Sequence, residues 1–311
     1  MSYTYKEFFL PSCDEKNTLH GEMYIPEGKI VGIVQLAHGM IDYVGRYTAL
    51  AEYLTAQGYV LAGNDHLGHG KTAAEEADFG FFAERDGYKL VVDDLYKVNR
   101  YLAEAFPSVP LVLMGHSMGS FMARLYAVKY PESISALIIH GTGGPNPLLA
   151  PGVLIAKLIK LVRGSRHRSK LINTLAFGSY NSKFTPEEGA NAWLTREIEL
   201  VAGRDSDPYT SFKFTTAGYL DLFAALGGSN KAAWFASFPK NMPTLVISGE
   251  ADPVGDYGKG VRYVYDKLTE AGANKVTLKL YPDARHELFN ETNRDEVFAD
   301  MGAWLAGALA E

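Results

Sequence analysis

The stretch LVLMGHSMGS, residues 111–120, decides how the rest of the sequence is interpreted. Four apolar residues lead to Gly115, and Ser117 and Gly119 complete the pattern G-x-S-x-G. A strand that ends in this pattern and continues as a helix is typical of a sharp turn that exposes a nucleophilic serine. Small residues are common in turns, so the pattern alone also fits a turn that happens to contain a serine. The choice depends on whether the chain supplies partners for Ser117.

Strand-like and helical patterns alternate over most of the 311 residues. Enrichment in β-branched and aromatic residues predicts strands at 4–10, 20–25, 30–37, 59–64, 110–114, 134–140, 243–248 and 275–281. Apolar residues at three- and four-residue spacing predict helices at 46–57, 86–106, 118–130, 257–271 and 292–309. This order predicts an α/β fold with a mostly parallel eight-stranded sheet and helices on both faces.

The alternation breaks down in the middle of the chain, where helical pieces are separated by GRDSDPYTS and ALGGSN. The strand pattern resumes at MPTLVISGEADPVG. We therefore predict a core formed by residues 1–144 and 238–311, which carries a helical cap at 145–237.

Two late strand ends offer partners for the serine. A serine nucleophile needs a histidine to take its proton and a carboxylate to hold that histidine in the right tautomer. Reactive groups in a parallel sheet gather beyond the carboxyl ends of the strands. ISGEADPVG ends one strand with Asp252, and LYPDARHELFN ends the next with His286. We predict Ser117, Asp252 and His286 as catalytic residues, with Glu250 as the rival acid.

Backbone N–H groups would have to stabilise the oxyanion that forms when a serine attacks a carbonyl group. Met118 follows the serine and supplies one of them. LAHGM, residues 36–40, ends an earlier strand, and the N–H of Met40 is the predicted second donor. We expect His38 in that stretch to be structural, because its strand end precedes the nucleophile.

No cofactor and no metal is predicted. Cys13 is the only cysteine, so the chain has no internal disulfide and no cysteine-built metal site. His66 and His69, in NDHLGHGKT, lie three residues apart in a loop broken by glycines. We expect these two histidines to fix the loop rather than to bind zinc.

The composition predicts a globular protein without a nucleic-acid partner, since 47% of residues are hydrophobic and the formal net charge is −6. The N-terminal stretch has a short apolar patch, and no segment approaches the ~20 apolar residues that span a bilayer. We therefore expect a cytoplasmic protein without a transmembrane segment.

One segment of the predicted cap suggests contact with a lipid surface. Residues 148–170, LLAPGVLIAKLIKLVRGSRHRSK, combine an apolar helix with Lys and Arg and contain no acidic residue. An apolar helix flanked by cations is typical of helices that lie on anionic lipid. The alternative is a helix packed on the core with a solvated basic end.

Three blocks make the chain resemble the α/β-hydrolase superfamily, and within it the monoacylglycerol lipase and lysophospholipase branch of the serine aminopeptidase S33 type. They are HGMIDYVGRY (38–47), DHLGHG (65–70) and GHSMG (115–119). The segment WLTREIELVAGRDSDPYTSFKFT (193–215) is similar to the cap of that branch. The resemblance implies an α/β-hydrolase fold, the triad Ser117, Asp252 and His286, oxyanion donors at Met40 and Met118, and no cofactor.

The resemblance also implies a serine hydrolase that cleaves carboxylic esters of lipophilic substrates, monoacylglycerol-like or lysophospholipid-like, through an acyl-enzyme. Met40 is bulkier than the small residue common after His-Gly, which predicts a narrower entrance to the acyl pocket. Two alternatives stay open. One is a non-catalytic binding protein on the same fold, which should lack a member of the triad. The other is an aminopeptidase whose cap carboxylates bind a free amine, for which the available residues are Glu187, Glu188, Glu197 and Glu199.

Overall fold

A computed structural model of the protein describes residues 3–185 and 188–310, apart from the side chain of Asp205. Over these residues the strands form one eight-stranded sheet in the order β1-β2-β4-β3-β5-β6-β7-β8. The strands are β1 (Tyr3–Pro11), β2 (Thr18–Pro26), β3 (Gly32–Ala37), β4 (Tyr59–Asn64), β5 (Leu111–His116), β6 (Ala136–His140), β7 (Thr244–Gly249) and β8 (Val276–Tyr281). Each coincides with a predicted strand to within a few residues.

The sheet is antiparallel at one edge and parallel elsewhere. β2 pairs antiparallel with both β1 and β4, and every other pairing is parallel. β5 lies between β3 and β6, where Gly115 is opposite Ala37 and His116 is opposite His140. The carboxyl ends of these three strands therefore meet around the turn that contains Ser117.

The central strands are buried on both faces. All residues of β3 to β7 are buried. Successive residues of β5 belong to different apolar clusters: Leu111 and Leu113 contribute to one, Val112 and Met114 to the other. This alternation is what a strand covered by helices on both sides requires, and it confirms the predicted α/β architecture.

Helices α2, α3 and α9 contribute to the first cluster, and α1 and α10 to the second. All five of these helices were predicted from the sequence. The helices are α1 (Thr48–Ala56), α2 (Gly87–Ala105), α3 (Met118–Lys129), α4 (Leu149–Arg163), α5 (Lys170–Phe177), α6 (Ile198–Ser206), α7 (Thr216–Ser229), α8 (Ala232–Ser237), α9 (Lys259–Glu270) and α10 (Arg294–Ala308).

Helices α4 to α8 lie between β6 and β7 in the chain, in the region predicted as the cap. Several of their residues join the first apolar cluster, among them Ala156, Ile172 and Tyr219. We propose that 145–237 is the cap and that it is packed on the core through these residues.

Over the described residues, every helix is too short or too polar to cross a bilayer.

Candidate active site

Ser117 stands at the turn between β5 and α3 with a strained backbone. Its φ is 53° and its ψ is −121°, a combination that is uncommon for a residue with a side chain. Its N–H donates to the carbonyl oxygen of His140 at 2.9 Å, which ties the turn to the end of β6. Ser117 is partly exposed, whereas its neighbours His116 and Met118 are buried. The hydroxyl is thus presented from a rigid support, as a nucleophile requires.

The two glycines of the motif are required by close packing. An ideal Cβ at Gly115 would lie 2.3 Å from the carbonyl oxygen of Gly119 and 2.7 Å from the Cβ of Ala123. One at Gly119 would lie 2.0 Å from the carbonyl oxygen of Ala37. Any larger residue at either position would therefore force the strands and helix around Ser117 apart.

Asp252 and His286 lie side by side beyond the ends of β7 and β8. Nδ1 of His286 is 2.8 Å from Oδ2 of Asp252, and both side chains are buried. Asp252 is held in turn by the hydroxyl of Ser248, at 3.2 Å, and by the backbone N–H of Val254, at 2.8 Å. A carboxylate at Nδ1 keeps the proton there and leaves Nε2 able to accept a proton from a serine.

The rival carboxylate points elsewhere. Glu250 is 42% exposed, and its Oε1 accepts a hydrogen bond from Arg262 at 3.1 Å. Asp252 is fully buried against His286. The geometry therefore supports Asp252 as the acid and gives Glu250 a surface ion pair.

Residues 38–47, the oxyanion loop, pass beside the serine. An ideal Cβ at Gly39 would lie 3.3 Å from the Cβ of Ser117 and 3.1 Å from Cδ2 of His116. The residue after Gly39 is Met40, and the residue after Ser117 is Met118. Both predicted oxyanion donors therefore come from backbone segments that are adjacent to the serine.

His38, His66 and His69 form a buried cluster that fixes neighbouring loops. The backbone N–H of His66 donates to Nε2 of His38 at 2.9 Å, so Nδ1 of His38 carries the proton and donates to the carbonyl oxygen of Gly39 at 2.8 Å. Nδ1 of His69 is 3.0 Å from the carbonyl oxygen of Leu67. Burial lowers the pKa of all three imidazoles, that of His69 to about 4. These contacts support the structural role that the sequence favoured.

The described part of the chain also holds one group of carboxylate and imidazole atoms close enough to share a metal ion, formed by Glu7, His20 and Glu22. It lies on the antiparallel strands β1 and β2. Lys71 and Asp65 already contact members of this group, at 2.6 Å and 2.9 Å. His66 and His69 are not part of it.

Sequence reasoning missed a buried network of two carboxylates and two guanidinium groups. Asp42 accepts a hydrogen bond from Arg46 at 2.8 Å, and Arg46 also contacts Glu287 at 3.0 Å. Arg204, from α6, lies 3.9 Å from Glu287. The network joins the oxyanion loop, the residue after His286 and the cap. The only local indication of this network in the sequence is the spacing of four residues between Asp42 and Arg46 in HGMIDYVGRY.

Opposite charge controls the ionisation of these carboxylates. Burial favours the neutral form of Asp42 and Glu287, but the nearby guanidinium groups outweigh it. The pKa of each carboxyl group is therefore lowered. Both are charged at neutral pH, and the pairing of positive with negative groups keeps the interior balanced.

His286 is surrounded by further rings. The ring of His116 lies 4.7 Å from it, and that of Trp193, from the cap, lies 5.1 Å away. His140 packs on His116 at 4.4 Å. Burial lowers the pKa of His116 well below its ordinary value and that of His140 to about 3. These two imidazoles are neutral at physiological pH.

The glutamates of the cap that were candidates for binding a free amine differ in their surroundings. Glu188 pairs with Arg285 and accepts the backbone N–H of Thr185 at 2.9 Å. Glu199 is exposed in the first turn of α6, and Glu197 precedes that helix. Glu187 lies outside the described residues.

The family of the chain follows from comparison with known proteins. The model of the family described as serine aminopeptidase, S33, matches residues 28–293. The chain belongs to this family. It is a lipase- and esterase-like α/β-hydrolase of the branch that contains the monoacylglycerol lipases.

Two comparisons cover almost the whole chain. A monoacylglycerol lipase of Mycolicibacterium smegmatis is 28% identical over 300 residues, which is 93% of this chain and 92% of the relative. The crystal structure of a thermostable carboxyl esterase from Bacillus coagulans, in complex with glycerol, aligns with a TM-score of 0.91 at 28% identity, covering 99% of this chain and 100% of that one. The expected resemblance is thus confirmed at the level of family and fold.

Proposed function

We propose that this member of the S33 family is a serine hydrolase that cleaves carboxylic esters of lipophilic substrates, monoacylglycerol-like or lysophospholipid-like. The observations that carry the proposal are the 2.8 Å contact between Asp252 and His286 and the φ of 53° at Ser117, at the end of β5. The similarity to a monoacylglycerol lipase and to a carboxyl esterase supports the substrate class.

The proposed reaction has two halves, and His286 acts as base and then as acid in each of them. His286 takes the proton of Ser117 as the serine oxygen attacks the ester carbonyl carbon. The N–H groups of Met40 and Met118 stabilise the oxyanion of the tetrahedral intermediate. His286 then gives its proton to the leaving alcohol, and an acyl-enzyme forms on Ser117. In the second half, His286 takes a proton from water as the water oxygen attacks the acyl-enzyme. The bond between the acyl group and Ser117 then breaks, His286 returns the proton to the serine oxygen, and the acid is released.

We further propose that the enzyme meets its substrates at a lipid surface through α4 and α5. The exposed fraction is 83% for Leu161, 78% for Val162, 60% for Leu154 and 55% for Leu158. Among the described residues of α4, only Ala156 is buried. This exposure favours the lipid-facing alternative over a helix packed on the core, because a contiguous exposed apolar surface is costly in water.

The basic residues of this segment divide into two groups, which the sequence could not separate. Lys160, Arg166 and Arg168 contact core residues, including Asp78 and the backbone of residues 76–84. Lys157, Arg163 and Lys170 are exposed. We therefore assign the attraction to anionic lipid to this second group.

We also propose a cytoplasmic location, supported by the single cysteine, which suits a reducing compartment. A peripheral membrane contact through α4 and α5 is compatible with that location.

The test is hydrolysis of a series of glycerol monoesters from short to long acyl chains, together with one aminoacyl amide. Ser117→Ala serves as the blank, because loss of a triad nucleophile lowers kcat on the order of 10⁶-fold. A fluorophosphonate should label Ser117 in the native protein and leave Ser117→Ala unlabelled.

The same series distinguishes the alternatives. Faster cleavage of the amide than of every ester would favour an aminopeptidase and overturn the proposal. The engagement of Glu188 by Arg285 weighs against that outcome. Absence of turnover and of labelling would favour a binding protein on this fold.

A further inference from the structure

We propose that Arg204, in cap helix α6, is a positioning residue that holds the oxyanion loop in its catalytic shape. The inference rests on the ester hydrolysis proposed above. It makes the placement of the cap a condition for stabilising the transition state as well as for binding the substrate.

The oxyanion loop contains a strained residue directly after the predicted donor. Ile41 has a φ of 54°, a left-handed conformation that is a clear outlier for a β-branched side chain. A residue keeps such a conformation only where its surroundings hold it. Rotation about φ of Ile41 would turn the peptide between Met40 and Ile41 and shift the backbone that carries the Met40 N–H.

Contacts from within the loop account for part of the restraint. The carboxylate of Asp42 accepts the backbone N–H of Tyr43 at 2.9 Å and the hydroxyl of Tyr47 at 2.7 Å. These bonds fix the backbone that follows Ile41. They do not reach the carbonyl group of Ile41 itself.

The cap supplies that contact. Nη2 of Arg204 donates to the carbonyl oxygen of Ile41 at 2.9 Å. The same guanidinium lies 3.9 Å from Glu287 through Nε, and its side chain is only 11% exposed. Arg204 therefore touches the loop directly and also faces the residue that follows His286.

The end of α6 contacts the loop at a second point. The hydroxyl of Tyr43 donates to Oδ2 of Asp207 at 2.8 Å, and the rings of Tyr43 and Tyr209 lie 5.4 Å apart. Residues 204–209 thus bond to two positions of the oxyanion loop, on both sides of Asp42. A cap that moved away from the core would break both bonds and leave Ile41 without its external restraint.

The experiment compares Arg204→Ala with Arg168→Ala. Arg168 is also a cap arginine that donates to core carbonyl oxygens, that of Phe79 at 2.9 Å among them, but its partners lie outside the oxyanion loop. For each protein we would measure kcat and KM on a short-chain monoester, together with inhibition by an alkyl trifluoromethyl ketone. The ketone adduct on Ser117 carries an oxyanion, so its affinity reports on the donors.

We expect Arg204→Ala to lower kcat by about 10- to 100-fold, somewhat less than loss of a donor itself, and to weaken the ketone by a similar factor. KM should change by no more than about 3-fold, since the ground-state carbonyl depends little on these donors. Millimolar methylguanidinium should restore part of the lost rate. Arg168→Ala should match the wild type in kcat and in ketone affinity.

Tyr43→Phe provides a variant that keeps the buried charges intact. It removes only the bond to Asp207, and we expect kcat and ketone affinity to fall together by about 3- to 10-fold. If Arg204→Ala does not fold, Tyr43→Phe still tests whether contacts from the cap hold the oxyanion loop.

A folded Arg204→Ala protein with wild-type kcat, or one whose rate falls while ketone affinity is unchanged, would overturn the proposal. For Tyr43→Phe, wild-type values of both quantities would do the same. A wild-type protein that neither hydrolyses monoesters nor reacts with a fluorophosphonate would instead remove the proposed function, and this inference with it.

Discussion

The backbone of Gly119 lies so close to Ala37 that an ideal Cβ on the glycine would be 2.0 Å from the alanine carbonyl oxygen. The main chain at the start of α3 is therefore in close contact with the main chain at the end of β3. This contact brings Met118 and the oxyanion loop to the same side of Ser117.

Gly119→Ala should therefore reduce both stability and activity. Forcing an extra methyl group into packed backbone typically costs about 1–3 kcal/mol. The displaced loop should lower kcat as well. Urea unfolding and monoester hydrolysis would measure the two effects.

Gly307→Ala is the matched control, because an added Cβ there would have no neighbour within 4 Å. It lies near the end of α10, where alanine in place of glycine should stabilise the helix by up to about 1 kcal/mol. Equal stability of the two variants would contradict the close packing of the turn around Ser117.

Asp252→Asn should lower kcat on the order of 10⁴-fold, because an amide holds the histidine in the wrong tautomer. Glu250→Gln removes a carboxylate two residues away whose partner is Arg262, and it should leave kcat near that of the wild type. Steady-state kinetics on one monoester suffice. A larger loss from Glu250→Gln than from Asp252→Asn would mean that the acid has been assigned to the wrong residue.

Buried histidines should make the protein sensitive to mild acid. Burial lowers the pKa of five imidazoles below the ordinary value: His38, His66, His69, His116 and His140. The unfolded chain binds these protons near pH 6.5, while the folded protein does not. The stabilising contribution of these histidines to the free energy of unfolding should therefore be fully present above about pH 6.5. It should fall as the pH drops, by about 1.4 kcal/mol per pH unit for each titrating group.

Urea unfolding at pH 7.5, 6 and 5 would measure this slope. Other groups act in the opposite direction. Burial raises the pKa of Asp221 to about 7 and raises that of Asp94, so the stability that these carboxyl groups contribute falls as the pH rises. His20 acts in the same way. Burial lowers its pKa, but Asp65 and Glu7 outweigh that effect and raise it, so its contribution is lost as the pH rises. His69→Asn should make the acid loss shallower by about one proton. Stability that is flat from pH 7.5 to 5 would contradict the prediction.

The exposed face of α4 should bind anionic vesicles more strongly than neutral ones, and less strongly at high salt. Lys157→Glu with Arg163→Glu should weaken this binding, since both side chains are exposed. Sedimentation with vesicles that contain phosphatidylserine, or phosphatidylcholine alone, would measure it.

The control for this experiment is Lys29→Glu with Lys259→Glu, which changes the net charge equally at exposed positions outside the cap. Its binding should resemble that of the wild type apart from a general charge effect. If both double variants bind equally, or if lipid charge has no influence, α4 does not provide the lipid contact.

Local patterns were sufficient to predict the sheet and the proximity of Asp252 to His286. The strands β3 to β7 are short, mostly apolar runs, and a run that ends in G-x-S-x-G indicates a turn by itself. Asp252 and His286 could be predicted because parallel strands bring their carboxyl ends to one edge, so the order along the chain implies proximity. These two residues are 34 positions apart in the chain, and the rule for parallel strands was enough to predict that they lie close together.

The contacts between cap and core could not be predicted in this way. Arg204 and Ile41 are 163 residues apart, and nothing periodic in either segment indicates the other. The sequence likewise left open whether α4 packs on the core or faces outward, because an apolar helix is compatible with both. Nor could the sequence show that Lys160 contacts the backbone of Glu84 whereas Arg163, three residues later in α4, is exposed.

The cap occupies the connection between two adjacent strands. β6 and β7 pair directly, with Leu137 opposite Thr244, although more than a hundred positions separate them. The entropy of closing a loop grows only with the logarithm of its length, so the size of this connection has little influence on the pairing. An insertion at this point can therefore vary in length without disturbing the strand pairing that holds Asp252 and His286 near each other. On the role proposed for Arg204, a different insertion would still have to present a donor to the carbonyl group of Ile41.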